Sequence, residues 1–215
     1  MKLFKIVVFA ALTMVSGVSL QAAVVLSNMG ANGLTDTSSA SGSDLTTSLL
    51  FAAGFTTGSV DQQLDRVSLV VSGTGSKSVR LYSNTGTGVS AVPGSLLSSS
   101  VTTTISATKS VQSFDFTGVT LTANTKYWVL PDTGMKWFRT VSDLSPTPQN
   151  GSGFTFDGMR RSTNNQVSWT SPAQRYTISV SSGDVPPPPP AIPEPALTSL
   201  LCFGGIALIR RRMKK

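Results

Sequence analysis

The sequence predicts an all-β protein, an antiparallel β-sandwich that is jelly-roll-like, with helix confined to an N-terminal signal segment and a C-terminal membrane-crossing segment. Three observations predict it. Apolar and polar residues alternate with period two across the middle of the chain, a pattern that sets one face of a strand on a core and the other in water. Turn sequences rich in Gly, Pro and Asn recur at short intervals between these runs. Ser and Thr supply 58 of the 215 residues, filling solvent-facing strand positions without adding charge.

Residues 1–23 read as a secretory signal peptide. Lys2 and Lys5 precede an apolar run from Ile6 to Val18, interrupted by Thr13, Ser16 and Gly17, and the small residues Ala22 and Ala23 close it. A permanent anchor needs about 20 apolar residues, which this run lacks. Cleavage is expected after Ala22 or Ala23.

Residues 24–183 read as one β domain, long enough to bury a core of its own. Val67, Leu69 and Val71 alternate with Ser68 and Ser72, Val79 and Leu81 with Arg80, and Phe114 and Phe116 with Asp115. Tyr176, Ile178 and Val180 alternate with Thr177 and Ser179. Lys126 to Leu130 (KYWVL) is apolar on both faces, as a central strand is. Turns are expected at Gly73-Thr74-Gly75, Asn84-Thr85-Gly86, Pro93-Gly94, Asp132-Thr133-Gly134 and Asn150-Gly151-Ser152-Gly153.

Residues 184–195 form a Pro-rich linker: seven of the 12 prolines fall between Pro186 and Pro195. Proline fixes φ and donates no hydrogen bond, so this stretch reads as an extended polyproline II stalk of about 3.1 Å per residue. Residues 196–209 (ALTSLLCFGGIALI) carry no charge, and as a helix rising about 1.5 Å per residue they reach only about 21 Å, a short transmembrane helix. Residues 210–215 (RRRMKK) are a basic tail that holds the cytoplasmic side and leaves the domain outside. Apolar residues surround this helix, which argues against an amphipathic surface helix. Cys202 within it reads as a small buried hydrophobe rather than a lipidation site.

Pro193-Glu194-Pro195, the short Gly-containing apolar segment, and Arg210-Arg211-Arg212 stand in fixed order at the end of the chain. This arrangement resembles the PEP-CTERM sorting domain of Gram-negative bacteria, over residues 191–213. The resemblance implies recognition by an exosortase, a membrane-embedded cysteine-type transpeptidase that cuts near the motif. The membrane helix would then anchor an inner-membrane intermediate, and the protein would pass to the cell surface or extracellular matrix, often in producers of extracellular polysaccharide. A second resemblance covers most of residues 24–183. The runs GFTTG (Gly54 to Gly58), LDRVSLVVSG, VRLYSN, VPGSLL and FDFTGVTLTANTKYWV are similar to the choice-of-anchor R type of bacterial surface domain. It implies a β-sandwich surface domain of unassigned activity.

Charge bears on topology rather than on a partner. The net charge is +7, yet residues 24–185 hold ten basic residues against nine Asp, and the excess sits at the two ends. Nucleic acid is therefore not an expected partner. No histidine is present, which excludes a Ser-His-Asp or Cys-His nucleophile system and imidazole-ligated metal. A single cysteine excludes an intramolecular disulfide and a thiolate zinc site.

Candidate chemistry within the domain is sparse. Asp36, Asp44, Asp61 and Asp65 are weak calcium candidates, since carboxylates and loop carbonyls suffice for that ion, but no D-x-[DN]-x-[DN]-G spacing is present. No other cofactor is expected. Glycoside hydrolysis needs two facing carboxylates, and Asp61 and Asp65 are the closest pair in sequence. Trp137 and Trp169, flanked by polar residues, are the candidate sugar platforms, while Trp128 reads as core. Arg160-Arg161 reads as a solvated loop. The expected function is a non-catalytic structural or adhesive role at the cell surface. The alternatives are a carbohydrate-binding module for extracellular polysaccharide and, behind it, an Asp-dependent glycoside hydrolase.

Overall fold

The computed structural model describes residues 22–184, and all fourteen strands in it pair antiparallel. The expected signal peptide, linker, membrane helix and basic tail lie outside these residues, apart from Ala22, Ala23 and Asp184 at their borders. In chain order the strands are β1 (Ala23–Ser27), β2 (Ser38–Asp44), β3 (Leu50–Thr56), β4 (Gln62–Gly73), β5 (Ser76–Lys77), β6 (Val79–Thr85) and β7 (Val92–Ser99). There follow β8 (Thr103–Thr104), β9 (Ser110–Leu121), β10 (Lys126–Pro131), β11 (Met135–Thr140), β12 (Thr147–Pro148), β13 (Thr155–Ser162) and β14 (Ser179–Asp184). Helix among the described residues is limited to two single 3-10 turns, Gly88–Ser90 and Val141–Asp143. None of it is long and apolar enough to cross a membrane.

Two sheets divide the strands in a β-sandwich-like arrangement. One sheet runs β13-β3-β10-β6-β7. The other is organised around β4, whose twelve residues cover about 37 Å at about 3.4 Å each. One edge of β4 pairs with β9 along its length; the other pairs first with β14 and then with β11, which lie end to end. β2 adds to β11, and β1 followed by β12 add to β14. β5 and β8 form a separate small ribbon.

Period-two alternation is what makes this arrangement closed. Val67, Leu69 and Val71 of β4 meet Val79 and Leu81 of β6, Phe114 and Phe116 of β9, and Tyr127 and Val129 of β10 in one core, joined by Tyr176, Ile178 and Val180. At about 25 cal/mol per Å² of apolar surface, such burial is the chief source of stability in a chain with a single cysteine. β10 is central in its sheet and apolar on both sides, as its sequence requires: Trp128 and Leu130 face outward, under a second cluster with Leu50, Ala52, Tyr82 and Ala91. Gly54 permits this, since a Cβ there would stand 2.6 Å from the Trp128 ring. A third cluster, Met29, Val70 and Phe138, covers the outside of the β4 sheet.

Pro93-Gly94 is not the expected turn but lies inside β7. The physical reason is that β7 is an edge strand, where a residue without an N–H disturbs the ladder least.

Candidate functional site

The long strand β4 defines two ends of the domain. At its start, Gln62 pairs with Asp184 and Leu121, so the chain leaves the domain there through β14. At its finish, Gly73 pairs with Met135, and the connections β2–β3, β4–β5, β8–β9 and β10–β11 gather. Backbone hydrogen bonds lock these connections in pairs. Leu45 N donates to Met135 O and Gly134 N to Leu45 O, both at 2.8 Å, joining the β2–β3 and β10–β11 turns. Gly73 N donates to Ser106 O at 2.9 Å and Ile105 N to Gly75 O at 3.2 Å, joining the β4–β5 and β8–β9 connections. Gly134 (φ +74°) makes the tight β10–β11 turn, where Lys77 Nζ bonds Thr133 O at 2.8 Å.

Between the two locked pairs lies an open cleft of about 360 Å³. Asp44, Ser72, Thr74 and Lys136 supply polar groups around it, while Leu45 and Met135 line it with their side chains buried in the core. Asp44 and Lys136 are directly opposed across the β2–β11 ladder. They do not pair with each other; Lys136 Nζ sits 5.7 Å from the centre of the Phe138 ring, a cation–π approach.

The four calcium candidates do not converge, and among the described residues no three acidic or thiol groups stand close enough to hold a metal. Asp36 accepts from Ser38 N and Oγ at 2.9 and 2.5 Å and pairs with Lys109 at 3.3 Å. Burial pushes its carboxyl up, but the Ser38 donors and the Lys109 ammonium outweigh burial and hold it below its ordinary value. Asp61 accepts from Ala123 N at 2.7 Å, tying the β3–β4 and β9–β10 connections. Asp65 is half-buried against Gly183, and burial pushes its carboxyl above the ordinary range, with Arg66 opposing and Asp115 reinforcing. Asp44 stands at the cleft.

The other aspartates whose side chains are described act as clasps. Asp115 pairs with Arg66 at 2.6 Å, Asp132 with Arg80 at 3.2 Å and Asp157 with Lys126 at 3.5 Å. Asp143 accepts from Arg175 N at 2.9 Å. Asp44 and Asp65 alone among them receive no hydrogen bond from a described residue.

Trp137 is not a sugar platform. It is fully buried between the sheets, donates Nε1–H to Thr177 O at 2.7 Å and lies with its ring centre 5.0 Å from that of Tyr176. Its polar neighbour Lys136 is on the opposite face of the same strand, so flanking polarity marks alternation rather than exposure. Trp169 is half-buried and spends its apolar surface on the cluster around Trp128.

Arg160 and Arg161 belong to β13 rather than to a loop. Arg160 is only 7% exposed, donating to Ala91 O at 2.7 Å, Val89 O at 3.0 Å and Ser171 Oγ at 2.6 Å, 5.5 Å from the Trp128 ring centre. A guanidinium whose three nitrogens all find acceptors can be buried where an ammonium could not, which the sequence pattern alone does not reveal. Burial depresses its pKa, with Asp157 opposing, and it stays protonated.

The sorting residues Pro193, Glu194, Pro195, Arg210, Arg211 and Arg212 lie outside the described residues. No protein-family model, curated protein or solved structure matches the chain.

Proposed function

We propose that the chain is an exported bacterial surface or extracellular-matrix protein, sorted by an exosortase-type enzyme, whose β domain has a structural or adhesive, non-catalytic role. The observation that carries this reading is the order of parts. A self-contained β domain ends at Asp184 in a strand held on both sides, by β1 and β4, and the proline run follows at once, then Pro193-Glu194-Pro195, an uncharged segment and Arg210-Arg211-Arg212. A terminal strand with two neighbours suits a point of attachment, because detaching it breaks two ladders rather than one.

A jelly-roll reading of the domain is supported by its pairing. Eight strands, β2, β3, β4, β6, β7, β9, β10 and β11, pair first with last and so inward: β2 with β11, β3 with β10, β4 with β9, β6 with β7. That is the order a long hairpin acquires when rolled into two sheets. A non-catalytic role is supported by the aspartates, most of which serve turns and ion pairs. Of the two expected cleavage sites, the one after Ala23 would remove the first strand residue, which pairs with Ser182. Cleavage after Ala22 leaves that pair intact.

Replacing Glu194 with Ala in the native host and measuring the mass of the mature protein tests the sorting reading. The parent chain is expected to lose its C-terminal segment and the variant to retain it. Equal processing of both, or of neither, overturns it.

A further inference from the structure

We infer that the cleft at the finish of β4 is a binding site for a neutral saccharide unit, with Asp44 and Lys136 as its principal contacts. The site is distinct from the two tryptophans suggested by sequence and independent of how the tail is processed. Its walls are preformed: the backbone bonds of Leu45, Gly134, Gly73 and Ile105 fix all four connections, so little ordering cost falls on binding. Its volume, about 360 Å³, is at the small end of ligand sites and suits one or two sugar rings.

The chemistry of the lining selects the ligand class. Asp44 is a carboxylate with no hydrogen bond from a described residue, while most other aspartates of the domain are engaged, and Lys136 lies across the ladder from it with no ion pair. A carboxylate accepts two O–H donors side by side, the arrangement a vicinal diol offers, and an ammonium donates to a ring or hydroxyl oxygen. Ser72 and Thr74 hydroxyls donate or accept as the ligand requires. One charge of each sign cancels, so neither a polyanion nor a polycation is favoured. The Leu45 and Met135 side chains are buried in the core and none of the lining residues is aromatic, so the contacts are polar and binding is accordingly weak.

The test uses the purified full chain in detergent and saturation-transfer NMR with glucose, mannose, galactose, N-acetylglucosamine and glycine as separate probes, each up to about 10 mM. At least one sugar is expected to bind saturably, about tenfold more weakly to Asp44→Asn and to Lys136→Met, and unchanged to Asp65→Asn. Asp44 is exposed, so its variant keeps the parent circular dichroism spectrum. Binding of none of the four sugars, sugar binding that survives both cleft substitutions, or binding of glycine alone, which marks a zwitterion site, overturns the inference. None of these outcomes bears on the processing of Glu194 variants.

Discussion

The two ends of β4 are built from similar parts and differ in what they leave over. At the end where the chain exits, the β3–β4 and β9–β10 connections are tied by Thr57, whose hydroxyl donates to Thr122 O at 2.6 Å and accepts from Thr125 N at 2.9 Å. Asp61 binds Ala123 N, and the Ser182 hydroxyl donates to Gln62 Oε1. At the far end the turns are tied by backbone bonds, Lys77 and Asp132, and these leave Asp44 and Lys136 facing an open cleft. Satisfied polar groups hold a structure together; charged groups left without an ion pair or hydrogen bond at a rigid cleft can turn to a ligand. The domain is thus fastened at both ends, and the far end leaves Asp44 and Lys136 without an ion pair beside a cleft.

The sharpest way to break this contrast is to loosen the exit end. Thr57→Val keeps the side-chain shape but strands the Thr125 amide and the Thr122 carbonyl, and is expected to cost about 1–3 kcal/mol in urea unfolding. A cost near zero would mean that the exit end is not held by its side chains.

Asp65 gives a smaller effect with a definite sign. Its folded pKa is raised, so the stability it contributes is present below its unfolded pKa and is lost as pH rises through the folded value. Asp65→Asn, which mimics the protonated form, is therefore expected to raise stability at neutral pH and to lose that advantage below about pH 3, where the carboxyl is neutral in both states. Thermal unfolding at the two pH values checks it.

Smallest of all is the effect of Asp44→Asn on stability, expected within about 0.5 kcal/mol in the same unfolding experiment because the carboxylate receives no bond from a described residue. A larger loss would assign Asp44 to the fold and weaken the contrast between the ends.

Period-two patterning in the sequence predicts most of the architecture, and the reason is local: each inward residue of β4, β6, β9 and β10 is decided by its neighbours two positions away. The double-sided apolar run of β10 marks its central place for the same reason. Trp137 misleads a local reading because Lys136, beside it in sequence, is on the other face in space. Pro93 misleads because it marks an edge as readily as a turn. Arg160 is buried through acceptors supplied by Val89, Ala91 and Ser171, which the local pattern does not place near it. The cleft is illegible in sequence, since Asp44 and Lys136 become neighbours only when the second strand pairs with the eleventh. Period and turn chemistry are properties of short windows; a site assembled from four connections is a property of topology.

The central claim, a domain displayed outside the cell with its cleft end accessible, is tested most directly by labelling intact cells of the native host. Thr74→Cys, introduced into a Cys202→Ser chain, places a single thiol at the exposed rim of the cleft. A membrane-impermeant maleimide is expected to label it on unbroken cells as fully as after lysis. Labelling that appears only once the cells are broken would contradict surface display.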